Sequence, residues 1–278
     1  MQNAGIAAGA TMLLGPKNSL GSVSRPDINR NYGMLIDTTR CIGCQACERA
    51  CAEKNGFPMP DGKPEVGIHR TTSTKALTVV NAHRKPGGGI IFAKNQCMHC
   101  DQPACVSACL VNAMYKTKEG PVIWREDKCM GCRYCMLACP FNVPKFEYGS
   151  INPRIRKCIM CYDRIGENRL PACAEACPQE AIRFGRRGDL LEIARNRIAD
   201  HPTDYVQHIY GENEVGGTNM LYLAGMPFEQ LGFRTDLGTT PYPEYTKTFL
   251  YSVPLVLLLA PAFMLGVRQA TKGKNDKD

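Results

Sequence analysis

All sixteen cysteines of this 278-residue chain fall into four groups of four, and nothing constrains its folding more. Group one reads Cys41-x2-Cys44-x2-Cys47-x3-Cys51, and group two Cys97-x2-Cys100-x4-Cys105-x3-Cys109. Group three is Cys129-x2-Cys132-x2-Cys135-x3-Cys139-Pro140, and group four Cys158-x2-Cys161-x11-Cys173-x3-Cys177-Pro178. A pattern of four thiols repeated four times is an internal repeat, and each copy marks one structural unit.

Disulfide scaffolds are short and dense in cysteine, whereas long stretches here have none. Zinc ribbons use two Cys-x2-Cys pairs per ion, so they leave the third and fourth cysteines of three groups without a purpose. Group three with its proline is the cysteine run of bacterial two-cluster ferredoxins, in which the fourth cysteine binds the other cluster. Two-residue gaps let successive thiolates reach one cubane. The fourth cysteine is expected to open a short helix leading toward a second cluster. Four groups therefore predict four 4Fe-4S clusters.

Between the groups, Met34-Leu35-Ile36, Ala76 to Val80 and Ile90-Ile91-Phe92 read as short strands bounded by turn residues. Tyr115-Lys116 and Val122-Ile123-Trp124 form a hairpin around Lys118-Glu119-Gly120, and Ala181 to Phe184 reads as the strand leaving group four. Helical spacing of Leu190, Leu191, Ile193, Ala194 and Ile198 predicts a packing helix over 189–201 with Asp189 as N-cap. Met220 to Ala224 reads as a strand after Gly216-Gly217, and Pro227 to Tyr245 as a loop.

Phe249 to Val267 is 19 residues without a charge, close to the roughly 20 that cross a bilayer as a helix. Pro254 and Pro261 are tolerated in such a span. Arg268, Lys272, Lys274 and Lys277 follow it and only Lys247 closely precedes it, so the positive-inside rule places the C-terminus in the cytoplasm and the body outside. Ala4 to Gly15, with no Lys or Arg before Lys17, reads as the middle of an export signal or as a mobile tail.

The four groups, with the long insertion in the fourth, resemble the four-cluster ferredoxin-type subunits of membrane oxidoreductases, the family of the electron-transfer subunits of formate dehydrogenase, dimethyl sulfoxide reductase and polysulfide reductase. Gln96-Cys97-Met98-His99-Cys100, Gly131-Cys132-Arg133-Tyr134-Cys135-Met136, Asn142-Val143-Pro144-Lys145 and the stretch Tyr210-Gly211-Glu212 to Gly232 are similar to the ferredoxin subunit of Hyb-type nickel-iron hydrogenases. The resemblance implies an α+β fold: two intertwined bacterial ferredoxin-like modules of short strands, hairpins and short helices, plus one C-terminal transmembrane helix. It implies that groups one and four exchange ligands, as do groups two and three. Cluster 1 then takes Cys41, Cys44, Cys47 and Cys177, and cluster 2 Cys51, Cys158, Cys161 and Cys173. Cluster 3 takes Cys97, Cys100, Cys105 and Cys139, and cluster 4 Cys109, Cys129, Cys132 and Cys135.

The chain divides accordingly into a leader (1–33), module A (34–92 and 141–188), module B (93–140), an extension (189–244), an anchor (245–268) and a basic tail (269–278). The implied role is a non-catalytic electron-transfer subunit at the inner membrane, with its body in the periplasm. Its partners are a catalytic subunit, with the nickel-iron hydrogenase small subunit favoured, a multi-span quinone-reactive membrane subunit, and the bilayer. A molybdopterin oxidoreductase acting on formate or a sulfur compound is the alternative catalytic partner.

No catalytic set competes with this reading. His69, His83, His99, His201 and His208 are scattered, and only His99 lies between two ligands, where it can donate to a cluster or contact a partner. Gly87-Gly88-Gly89 lacks the following Gly-Lys-Ser/Thr of a phosphate loop. Lys and Arg number 34 against 26 Asp and Glu, a formal +8 that resembles a nucleic-acid footprint. Each oxidised cluster with its four thiolates carries about −2, however, so four bring about −8 and a near-neutral protein. Arg40, Arg49, Lys128, Arg133, Arg156 and Lys157 beside the ligands read as counter-charge, and no nucleic-acid partner is expected. Purified anaerobically, the chain is expected to carry about sixteen irons with matching acid-labile sulfide; iron analysis returning none, or zinc in its place, contradicts the reading.

Overall fold

A strand with large apolar side chains at consecutive positions has to be covered on both faces, because successive side chains point to opposite sides. Met34, Leu35 and Ile36 are such a run, and they form the middle of strand β1 (Tyr32–Asp37). The computed structural model of the chain describes residues 27–275; the leader reading of Ala4 to Gly15 and Lys17 lies outside them.

After β1 come helix α1 (Ala46–Asn55), strands β2 (Val79–Arg84) and β3 (Ile90–Asn95), helix α2 (Ala104–Ser107), strands β4 (Met114–Lys116) and β5 (Val122–Trp124), and helix α3 (Tyr134–Ala138). Strands β6 (Lys145–Phe146) and β7 (Ile155–Arg156), helices α4 (Tyr162–Gly166) and α5 (Ala172–Glu175), and strand β8 (Ile182–Arg186) complete the cysteine-bearing part. Helix α6 (Arg187–Asp200), strand β9 (Met220–Leu223) and helix α7 (Tyr242–Asn275) follow. The mixture is α+β.

β1 is central in a three-stranded sheet, antiparallel to β8 and parallel to β9. Met34 and Ile36 face a core with Val80, Met160, Tyr210, Tyr222 and Phe228, the side on which Cys47 and Cys173 are buried. Leu35 points the other way, with Leu221 and Leu223, against Leu190, Leu191, Ala194 and Ile198 of α6. The packing helix therefore covers the sheet face remote from the cysteines. A third core around Met114, Val122 and Ile155 encloses Cys105 and Cys135.

Two elements begin elsewhere than their sequence suggests. The strand read from Ala76 starts at Val79, because Ser73 and Ala76 close a turn through a 2.8 Å backbone hydrogen bond. α6 opens at Arg187 instead of being capped by Asp189, which lies in the first turn, where its charge suits the helix dipole. Arg187 is buried there, and its guanidinium donates to the Thr218 and Glu212 carbonyls, each at 2.8 Å. Within the expected loop 227–245, Phe228–Leu231 forms a 3-10 turn and α7 already begins at Tyr242.

α7 contains Pro254 and Pro261, and Tyr242–Thr271 is long and apolar enough to cross a membrane. Its apolar side chains, among them Phe249, Leu258 and Phe263, are exposed rather than packed on the body. The helix meets the body at α2.

α6 is also pinned by charge. Asp37 is fully buried; one carboxylate oxygen accepts from Arg197 at 2.7 Å and from the Tyr205 hydroxyl at 2.9 Å, the other from the Thr39 amide at 3.0 Å. Removing one partner of a buried pair strands the other charge. Arg197→Leu is expected to destabilise the fold by about 3 kcal/mol, read as a lower melting temperature with iron content unchanged; an unaltered melting temperature contradicts this role for the pair.

Candidate metal centres

The cysteine repeat is also a repeat of backbone conformation. The residue before the second cysteine of each group is left-handed: Gly43 (φ 70°), His99 (φ 48°), Gly131 (φ 74°) and Met160 (φ 59°). Glycine adopts this readily, whereas histidine and methionine are held there by their surroundings. At Gly43 a Cβ would lie 2.4 Å from the Phe92 ring. Three residues beyond the fourth cysteine, Asn112, Asn142 and Glu180 are left-handed too, each donating its N–H to the carbonyl of Cys109, Cys139 or Cys177 at 3.1, 3.1 and 3.2 Å.

Short helices do join the ligands, but they start at the third cysteine and not the fourth. Cys105, Cys135 and Cys173 lie in α2, α3 and α5, and Cys109, Cys139 and Cys177 lie just past the helix ends. α1 is longer and holds both Cys47 and Cys51. α1 packs against α5, and α2 against α3, so groups one and four meet, as do groups two and three.

The thiol neighbours follow from that packing. Burial raises Cys41, and Cys177 and Cys44 add repulsion; these three line one small cavity together with Cys47 and Lys94. Burial pushes Cys51 up to about 12, with Cys173 and Cys161 beside it. Cys158 is raised by burial and by Cys97, Cys51 and Cys173, and Cys161 by burial with Cys173 nearby. Burial raises Cys100 far above the ordinary thiol, with Cys139, Cys97 and Cys105 around it, and Cys105 itself to about 12. Cys135 rises to about 11 through burial and the neighbouring Cys109, Cys129 and Cys132. Three pairs of electrostatic neighbours cross between these sets: Cys47 with Cys173, Cys158 with Cys97, and Cys105 with Cys135.

Among the described residues, no three His, Cys, Asp or Glu side chains converge on a single metal ion. Donors already point at sulfur. The amides of Ala113 and Met114 reach Cys109 Sγ at 3.1 and 3.3 Å, and the amide of Met160 reaches Cys158 Sγ at 3.3 Å.

His99 is fully buried; its Nδ1 accepts from the Val122 amide at 2.9 Å, and Nε2 has no partner among the described residues. Burial, then Lys157, Lys116 and Lys94, hold it well below the ordinary histidine value. Neutral and accepting at Nδ1, the ring carries its proton on Nε2. Tyr222, also fully buried, has a hydroxyl without a partner among the described residues, and burial followed by Cys158 and Cys173 raises it. Buried donors of this kind fit a bound cluster, whose sulfur would offer an acceptor.

The basic residues picked out by sequence adjacency fare unequally. Arg40, Arg49, Lys128 and Arg133 are exposed, and Arg156 pairs with Glu147 at 2.6 Å. Only Lys157 is buried at a ligand, with Nζ 3.6 Å from Cys97 Sγ. Lys94, which sequence adjacency did not select, is 2% exposed. Its signal was a lysine ending the apolar run Ile90 to Ala93.

Known proteins match this arrangement. The 4Fe-4S dicluster domain family matches residues 89–187 in one form and 40–113 in another. A protein of Nitratidesulfovibrio vulgaris is 47% identical over 255 residues, 90% of this chain and 69% of that protein. The hydrogenase-2 operon protein HybA of Escherichia coli O157:H7 is 36% identical over 90% of this chain and 88% of its own length. The chain belongs to the 4Fe-4S dicluster iron-sulfur subunits. Another such subunit, the iron-sulfur subunit of the nitrate-inducible formate dehydrogenase of Escherichia coli K12, is 34% identical over 74% of both chains. This chain is an iron-sulfur electron-transfer subunit, and its two dicluster domains and sixteen cysteines fit four 4Fe-4S clusters.

Cys132 alone among the sixteen cysteines is exposed. A chelator acting on the oxidised protein is therefore expected to remove iron in two phases, the fast one taking about a quarter of the total. Uniform loss of all the iron contradicts the idea that one cluster is the accessible one.

Proposed function

We propose that this subunit relays single electrons along a row of four clusters, between a catalytic subunit and a quinone-reactive membrane subunit. The observation that carries the proposal is the set of neighbouring thiols. They support cluster 1 on Cys41, Cys44, Cys47 and Cys177, cluster 2 on Cys51, Cys158, Cys161 and Cys173, cluster 3 on Cys97, Cys100, Cys105 and Cys139, and cluster 4 on Cys109, Cys129, Cys132 and Cys135. The three crossing pairs then join clusters 1 to 2, 2 to 3 and 3 to 4 without a branch. Exchange of fourth ligands supports two intertwined modules. When bound, each cluster takes up and returns one electron; the chain fixes the spacing and excludes water, and has no substrate chemistry of its own.

The two ends of the row differ. Around cluster 4, Met130, Tyr134 and Leu137 are 63%, 51% and 83% exposed, and neighbouring α2 touches α7. This favours the cluster 4 end for the membrane subunit, with α7 as a single-pass anchor. The cluster 1 end, with Ile42 56% exposed beside Cys41, is left for the catalytic subunit. Arg268 and the following lysines favour a cytoplasmic C-terminus and a periplasmic body. HybA's hydrogenase-2 name favours a nickel-iron hydrogenase as catalytic partner. The likeness to formate dehydrogenase subunits supports a second reading with a molybdopterin enzyme.

Membranes solubilised with the tagged chain are expected to yield a complex of this chain, a nickel-iron hydrogenase and a multi-span subunit, with quinone-linked activity. Co-purification of a molybdopterin enzyme selects the second reading. Full quinone-linked activity in a complex lacking this chain refutes both.

A further inference from the structure

Two lysines are buried where no ordinary surface role reaches them. Lys94 is 2% exposed and Lys157 3% exposed, and neither ammonium finds a carboxylate among the described residues. A buried charge without a counter-charge is among the costliest features a fold can carry. Lys94 donates to the Gln96 side-chain oxygen, whose amide in turn lies 3.2 Å from Met220 Sδ. Lys157 donates to the carbonyls of Val122 and Cys158. These neutral acceptors orient the ammonium groups but do not balance them.

What surrounds the two lysines is sulfur. The thiols nearest Lys94 electrostatically are those of Cys173, Cys47, Cys158 and Cys51. Lys94 also walls the cavity lined by Cys41, Cys44, Cys47 and Cys177. Lys157 lies 3.6 Å from Cys97 Sγ while bonded to the backbone of Cys158. With the ligand sets proposed above, on which this inference rests, Lys94 stands at the junction of clusters 1 and 2, and Lys157 at that of clusters 2 and 3. By contrast, the basic residues beside the cysteines of set four, Lys128 and Arg133, are exposed.

We propose that Lys94 and Lys157 are positioning residues for electron transfer: fixed positive charges, one at each inner junction, that raise the potentials of clusters 1 to 3 relative to cluster 4. Reduction adds a negative charge to a cluster, and a buried ammonium nearby stabilises that charge through a medium of low dielectric. Water and salt screen the exposed cluster 4 instead. The inner row is thereby made electron-accepting, and the exposed end is left as the harder cluster to reduce.

The test is a potentiometric titration of the four-cluster protein followed by electron paramagnetic resonance, for wild type, Lys94→Met and Lys94→Arg. In Lys94→Met, clusters 1 and 2 are expected to become at least tenfold harder to reduce at fixed ambient potential, a downward shift of about 59 mV for a one-electron couple. Cluster 4 should not move, and Lys94→Arg, which keeps the charge, should restore the wild-type titration. Lys157→Met should shift clusters 2 and 3 in the same way. Unchanged potentials in Lys94→Met with four clusters present overturn the proposal, as does an equal shift in Lys94→Arg. If Lys94→Met and Lys94→Gln both fail to load clusters while Lys94→Arg loads four, the charge is needed to hold the pair and the proposal stands; failure in all three makes it a packing requirement and overturns it. Failure of the underlying ligand sets shows differently, as a wild-type protein with fewer than four clusters.

Discussion

Sixteen thiol groups within one small body are tolerable only if something takes up the charge that metal binding gives them. Burial drives Cys51 and Cys105 to about 12 and Cys100 and Cys158 well above the ordinary thiol range. The polypeptide alone therefore opposes the thiolate form that iron requires. Assembly has to supply the difference through iron-sulfur bonding, through amide N–H groups aimed at sulfur, and through the two buried lysines. The rest of the fold is arranged around this requirement. The sheet and α6 form a rigid back wall, and the cysteine loops are the part that faces inward.

The loops achieve inward orientation with one repeated device. A left-handed residue before the second cysteine turns the chain between the first two thiols, and in groups two, three and four a left-handed residue three beyond the fourth cysteine ends the turn. Where glycine occupies the position, as at Gly43 and Gly131, the backbone pays no steric penalty. Where His99 and Met160 occupy it, both are wholly buried, and packing holds the conformation. The looser spacing of groups two and four is thus compatible with the same local geometry. At His99 the conformation also buries an imidazole whose Nε2 finds no partner among the described residues.

Cysteine spacing made the metal chemistry legible, since only clustered thiolates account for all sixteen residues, and short apolar runs bounded by turn residues, with one helical pattern, revealed β1, the β4–β5 hairpin, α6 and β9. Element starts were less legible. Val79 begins its strand after a turn closed between Ser73 and Ala76, and Arg187 opens its helix bonded to carbonyls brought in from 212 and 218, which are not local in sequence. The counter-charge was misread for a similar reason. Adjacency to a cysteine selected Arg40, Arg49, Lys128 and Arg133, which are exposed, with Arg133 lying over the Phe146 and Tyr148 rings, and passed over Lys94, which strand pairing brings toward cysteines of groups one and four.

Diffraction from crystals of the anaerobically purified protein, collected at the iron absorption edge, tests the central claim most directly. The account predicts four separate iron-cluster peaks in one unbranched row, with the peak flanked by Cys132 at the exposed end. Fewer than four peaks, or a row that branches or places that peak in the interior, would contradict it.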